Sequence, residues 1–338
     1  MLSRRPKFGR FASLFWGSHR EELKLSIAIE KEQIEEGAVG QSVPDPILKD
    51  HIHSISHPAR RTFVLKDVVY DTENGFIWFG RHPLVESSSR PPVRDLIFRP
   101  EMRRADSPEE LKDEIIFPVR PETYYHWLLE TLPRFIRAMK IEPQTRLVAF
   151  GSLSRFQEQS IAEMGERIFA RYPAKSFLRF RAILPRASPH SGWPHPTDIS
   201  LLRHTFIRRG QEFTPQSPSR IQISRQGNSR VGKNEAQLVS RLAQEGFFHL
   251  VPEQFTFRDQ VDLFSRATAI VASHGGALAN TAFSPHGSRV LEIMWPNYAN
   301  PCFAVLSGEA GLRFSRQIHP RPVFQIGRVI EEVRSWQS

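Results

Sequence analysis

The chain has 338 residues, 40% hydrophobic and 24% charged, a balance that excludes disordered and membrane-spanning classes and exceeds the usual size of one core, so two domains are expected. A formal net charge of +10 admits nucleic acid, an anionic membrane surface or a small phosphorylated substrate as partner; without a long Lys/Arg block, zinc finger, RNA-recognition motif or leucine zipper it does not by itself indicate sequence reading. The single cysteine, Cys302, excludes an intrachain disulfide and fits a reducing, cytoplasmic compartment.

Residues 1–60 read as an N-terminal extension. Arg4, Arg5, Lys7 and Arg10 beside Phe8, Phe11, Leu14, Phe15 and Trp16 suit either a loose terminus or a peripheral contact with the inner face of a membrane. The run from Phe11 to Gly17 is too short for a signal peptide or a span. A helix is expected from Glu21 to Glu36. "RTFVLKDVVYDTENGFIWFG" then reads as two strands around a turn at Glu73-Asn74-Gly75, opening an α/β domain over 61–210. Arg81 to Pro121, rich in Pro, Ser and charge, reads as an irregular connection.

"PETYYHWLLETLPRFIRAMK" has helical apolar spacing, and Pro133 should distort that helix or end its first part. "TRLVAF", "SRFQEQSIAEMGERI" and "KSFLRFRAILP" alternate strand, helix, strand, and "PTDISLLRHTFIRRG" reads as a helix stopped by Gly210. Gln211 to Ser219 reads as a linker into a second α/β domain, 211–338, whose C-terminal segment has the option of packing back on the first. Beyond it come "RIQISR", a helix from Asn234 to Gln244, "FFHLVP", a helix from Thr256 to Arg266, "AIVASH", a helix from Gly275 to Phe283, and "RVLEIM". Repeated β-α units of this size predict a parallel sheet covered by helices. Asn234 with Gln237 resembles a capping box.

Ligands of open α/β sheets bind at the carboxyl ends of strands, where Arg225, His274 and Glu292 fall in three successive units. Gly275 and Gly276 let backbone N–H groups approach an anion at a helix start. That dipole supplies only about 0.3–2 kcal/mol, so a diphosphate also calls for a cation. Arg225 is the leading candidate for bidentate pairing, with Arg230 and Lys233 second on the same loop. Glu292 suits either ribose hydroxyls or a structural pairing with an arginine; Asn280 suits either the ligand or, preferably, the turn itself.

His126 and Glu130, four apart, share a helix face, an arrangement suited to a histidine base oriented by a carboxylate, beside the aromatic surface of Tyr124, Tyr125 and Trp127. The G-x-S-x-G elbow, Walker A loop, paired C-x-x-C, H-E-x-x-H and Asp-x-Asp motifs are absent, so no cofactor and no metal clamp is expected.

"YYHWLLETLPRF", "ISRQGNSRVGKNEAQLVSRLAQEGF", "VPEQFTFRDQVDLFSRATAIVASHGGALANTAF" and "GSRVLEI" resemble, in order, the blocks of the family 61 glycosyltransferases, whose bacterial members are often called capsular polysaccharide biosynthesis proteins. The similarity runs over about Thr62 to Pro296, and it is the His-Gly block together with the Arg and Asn-Glu block that makes it specific. The resemblance implies two Rossmann-like domains of the glycosyltransferase B type around a cleft, inverting chemistry, a nucleotide diphosphate sugar donor, a glycan or lipid-linked acceptor and no required metal. It carries donor-side roles onto Arg225, Asn234, Glu235, His274, Gly275, Asn280 and Glu292, and acceptor-side roles onto His126 and Glu130. Thr123, Ser273 and Gly276 depart from the asparagine, proline and alanine common there. Two further readings are a non-catalytic glycan- or nucleotide-binding protein retaining the donor fold, and a basic nucleic-acid binder.

Overall fold

The computed structural model describes residues 29–41, 54–72, 76–79, 82–83, 108–119, 122–165, 169–172, 177–186, 192–208, 218–225, 232–296 and 300–336. The basic-aromatic N-terminus, the turn at Glu73-Asn74-Gly75, Arg230, and all but the last two residues of the 211–219 linker lie outside these.

The chain forms an α/β protein with two main sheets. Strands β1 (Ile29–Glu35), β2 (Ala38–Gln41), β3 (Ser54–His57), β4 (Arg60–Asp71), β5 (Phe76–Phe79), β6 (His82–Pro83), β7 (Glu109–Val119), β8 (Arg146–Phe150), β9 (Phe169–Tyr172) and β10 (Phe177–Pro185) come first. Eight of them make a mixed sheet in the order β6-β5-β4-β10-β7-β8-β9, with β1 also on β4, while β2 and β3 pair separately. Strands β10, β7, β8 and β9 are mutually parallel; β1, β4, β5 and β6 are antiparallel to their neighbours. This sheet therefore departs from an all-parallel Rossmann arrangement, because the β4–β5 hairpin extends it on one side.

Two expectations fail here. The stretch predicted as a helix to Glu36 is strand β1 from Ile29, held by tertiary pairing: Glu32 accepts from Arg61 at 2.6 Å, and Glu35 pairs with Arg60 and Arg137, each at 3.2 Å. Charged side chains suit such an outer strand, and local helix propensity is overridden. Strand β7 occupies the end of the supposed irregular connection, because Ile115 to Val119 form an apolar run buried mid-sheet that the surrounding proline and charge obscured.

Between β7 and β8 runs one helix, α1, made of an α turn (Tyr124–His126), a π segment (Trp127–Thr131) and an α stretch (Leu132–Ile141). Pro133 lacks the N–H that regular winding requires, and the ladder widens to five-residue bonds just before it, with the Leu132 N–H donating to the Trp127 carbonyl. The predicted distortion thus falls on the segment holding Glu130. Helices α2 (Arg155–Ala162) and α3 (Pro196–Phe206) follow.

The second sheet is built from β11 (Arg220–Ile223), β12 (Phe248–Leu250), β13 (Ala269–Ser273), β14 (Arg289–Met294) and β15 (Arg313–Ile318), all parallel, in the order β12-β11-β13-β14-β15. Its helices are α4 (Glu235–Gln244), α5 (Phe257–Phe264), a 3-10 helix (Gly276–Phe283), α6 (Cys302–Ala310) and α7 (Ile326–Ser335). Every residue from Leu278 to Phe283 is buried, so packing on all sides sets the tighter winding in place of the α-helix expected there. Helix α7 packs with α4 over one face of this sheet. The largest core cluster unites α1, α2, α3, α5, the 3-10 helix and α6 between the two sheets. Among the described residues no helix is long and apolar enough to cross a membrane.

Candidate active site

Strand β11 sends its connection to β12 on one side and lies beside β13 on the other, so the loops after β11 and β13 flank the point where strand order reverses, the usual ligand position in such sheets. Arg225 and Gly275-Gly276 stand on these two loops. They line a cleft of about 410 Å³, together with Ser224, Gln260 and Phe255 on the second-sheet side and Tyr124, Arg155 and Phe156 on the other.

The missing side chain at Gly275 is what admits the arginine. A Cβ there would lie 2.9 Å from Arg225 Nη1 and 3.0 Å from Cζ. Arg225 Nη1 donates to the His274 carbonyl, and its backbone N–H donates to Glu235 Oε1 at 3.0 Å. Glu235, buried in the first turn of α4, thus fixes the Arg225 loop from beneath. The expected meeting of Arg225 with the glycine turn is present.

His274 Nδ1 pairs with Glu292. The parallel register sets Glu292 opposite Arg316 on β15, and Arg316 Nε donates to Glu292 Oε2 at 2.8 Å. Glu292 is fully buried with both oxygens engaged, so of its two readings the geometry matches pairing with an arginine rather than ribose binding. A carboxylate only accepts, so Nδ1 of His274 carries the proton and Nε2 is the nitrogen turned away from Glu292.

Asn280 is likewise fully buried. Its Oδ1 accepts from the Tyr124 hydroxyl at 2.6 Å and its Nδ2 donates to Gln260 Oε1 at 2.9 Å, while Gln260 Nε2 donates to the Pro252 carbonyl at 3.0 Å. Asn280 is therefore engaged in securing the turn, the preferred of its two expected roles. Asn234 does not close the expected capping box: its side chain clamps the backbone of Phe324, donating to the carbonyl at 3.0 Å and accepting from the N–H at 2.7 Å. Phe324 arrives from the C-terminal segment, a partner no local pattern announces. The Lys233 side chain is exposed and outside the cleft lining, and its N–H bonds the Pro322 carbonyl at 2.9 Å.

A second His–Glu dyad sits on α1. His126 Nδ1 lies 2.9 Å from Glu130 Oε2, and Glu130 Oε1 accepts the Gly192 N–H at 2.9 Å. By the same argument Nδ1–H donates to the carboxylate and Nε2 of the neutral ring is the basic nitrogen. Gly192 has φ +89°, and its carbonyl accepts from Tyr125 at 2.8 Å, so two side chains of α1 pin one left-handed glycine. The dyads are linked through rings: Tyr125 contacts His126 at 5.4 Å and Phe303 at 5.5 Å, and Phe303 contacts His274 at 5.1 Å. Burial holds the Tyr124 and Tyr125 phenols and the Cys302 thiol well above their ordinary pKa values, so all three stay protonated and Cys302 is no nucleophile at neutral pH.

Residues 124–291 match the family described as Glycosyltransferase 61. The chain carries a family 61 glycosyltransferase domain.

The matched region of this family 61 domain begins at Tyr124 and includes both dyad histidines, Glu130, Arg225 and the glycine turn, with Glu292 one position beyond. A stretch of 108 residues, 31% of the chain, is 36% identical to the human protein O-linked-mannose beta-1,4-N-acetylglucosaminyltransferase 2, and it covers 17% of that protein. The mouse counterpart is 36% identical over 108 residues, and the bovine one 34% identical over 110, covering 19% of its length. Sequence reasoning missed Gln260, Gly192, Arg316 and Phe303. Gly192 had a signal in the turn-forming "SGWPHP"; Arg316 had none, because its importance comes from register.

Proposed function

We propose that this chain is an inverting, metal-independent glycosyltransferase of the B type, with 61–210 as acceptor domain, 211–338 as donor domain and 1–60 as an extension. It moves a sugar from a nucleotide diphosphate sugar to a hydroxyl of a surface glycan or lipid-linked intermediate in polysaccharide biosynthesis, in the cytoplasm or at the inner face of the membrane. The observation that carries this reading is the Arg225 guanidinium seated on Gly275 at the strand-order reversal of a family 61 domain. The curated relatives' name, an N-acetylglucosamine transfer to O-linked mannose, supports a sugar hydroxyl as the acceptor class.

In this mechanism His126 Nε2 takes the proton of the acceptor hydroxyl while Glu130 holds Nδ1–H and offsets the charge gained by the ring. The acceptor oxygen bonds to the anomeric carbon as its bond to the diphosphate breaks. Arg225 and the amides of the glycine turn receive the charge of the departing diphosphate.

The test is a thermal-shift screen across nucleotide sugars, followed by transfer assays with and without EDTA. A stabilising donor whose sugar is transferred with inverted configuration, insensitive to EDTA, is the expected result. Arg225→Ala should then lose about 2.7–4 kcal/mol of transition-state stabilisation, and unchanged turnover would remove the assignment.

A further inference from the structure

We infer that Arg155, on the wall facing Arg225, is a second cation for the diphosphate of the donor; this rests on the glycosyltransferase reading above. Arg155 is exposed, lines the cleft, and makes no hydrogen bond or ion pair among the described residues. Arg225, by contrast, already gives Nη1 to the His274 carbonyl. The diphosphate carries more charge than one partly engaged guanidinium answers, and Arg155 brings an uncommitted fork suited to phosphate oxygens.

The placement of Arg155 is unfavourable for α2 itself. It is the first residue of that helix, next to the positive end of the backbone dipole, where a carboxylate would stabilise and an arginine does not. A local choice that works against its own element points to a requirement set elsewhere, and this side chain lines the cleft.

Helix α2 is also held firmly against the donor side. Gln159 Oε1 accepts the Phe257 N–H at 2.9 Å, and Glu163 pairs with Arg258 at 3.2 Å, so α2 is tied to α5 at two points. The two arginines face one preformed cleft. Glu253 is the carboxylate in its described lining and opposes an anion there.

The experiment measures binding of UDP, GDP, CDP, ADP and dTDP to the full chain by calorimetry, and melting without ligand. For the nucleotide that binds, Arg155→Ala should weaken affinity about tenfold or more, Arg155→Glu further, and Glu253→Gln should tighten it. Without ligand, Arg155→Ala should melt at the same temperature or higher, because the dipole conflict is gone; a merely structural arginine would lower it. If Arg225→Ala weakens binding and Arg155→Ala does not, the Arg155 assignment is overturned and the glycosyltransferase reading stands. If wild-type protein binds neither these diphosphates nor any nucleotide sugar, the underlying reading fails as well.

Discussion

Tyr124 and Asn280 meet at 2.6 Å, hydroxyl donating to amide oxygen, and this bond ties the helix that carries His126 to the segment that follows the glycine turn. The close approach extends to backbone: a Cβ on Gly276 would lie 3.6 Å from Tyr124 Cβ and 3.8 Å from the Tyr125 nitrogen. The helix carrying His126 and the glycine turn are thereby set relative to each other by a hydrogen bond to the buried Asn280.

Removing that donor leaves the buried Asn280 oxygen unsatisfied. Tyr124→Phe should cost about 1–3 kcal/mol in urea denaturation. Tyr124→Phe combined with Asn280→Ala should cost less than the two singles added, because they share one interaction. Strict additivity would show that the pair is not coupled.

At Gly275 the backbone is extended, so any residue fits its φ and only space forbids a side chain. Gly275→Ala is expected to displace the Arg225 guanidinium, weakening nucleotide binding toward the level of Arg225→Ala, with a small effect on melting temperature. Wild-type affinity in that variant would show that Arg225 need not sit on the turn.

His126→Ala should reduce kcat by roughly 10²–10⁴, the usual contribution of a positioned base. Glu130→Gln should act through the histidine, lowering kcat because the ring loses the carboxylate that orients Nδ1–H and offsets its charge. At φ +89°, Gly192→Ala should destabilise by about 1–2 kcal/mol and lower kcat in the same way, because the Gly192 N–H fixes Glu130. Unchanged kcat in the His126 and Glu130 variants would place the base elsewhere.

Glu292 is the centre of a buried His274–Glu292–Arg316 set. Glu292→Ala leaves the Arg316 charge without its partner and should cost about 3–5 kcal/mol. If the protein stays near wild-type stability, the carboxylate is not holding the strand ends together.

Stability should fall as pH drops from about 6.5 to about 4. His319 and His195 are buried, and burial lowers each to about 4, with Arg328 beside the first and Arg60 beside the second opposing a further positive charge. His195 also faces Asp198, which favours its charged form, and His57 and Arg137, which oppose it. The unfolded chain therefore binds protons in this window that the folded one refuses, so stability is fully present above the ordinary histidine value and is lost on acidification. His319 Nδ1 accepts the Gln325 N–H at 3.1 Å, which requires the neutral ring. His319→Gln should flatten the melting-temperature slope between pH 6.5 and 4; an unchanged slope would assign it to other groups.

The β-α order of the second sheet, the strand ends carrying Arg225 and His274, and the i, i+4 dyad of His126 and Glu130 were all legible in the sequence. Each rests on periodicity or on spacing within one turn, and backbone hydrogen bonding enforces both locally. What only the tertiary structure decided was the partner of each polar group. The Asn234 amide finds Phe324 ninety positions away, Glu292 meets Arg316 because β15 pairs in one register, and Ile29 to Glu35 becomes a strand because Arg60, Arg61 and Arg137 receive its carboxylates. A buried charge must be matched by whatever the fold brings beside it, and no local pattern encodes that neighbour.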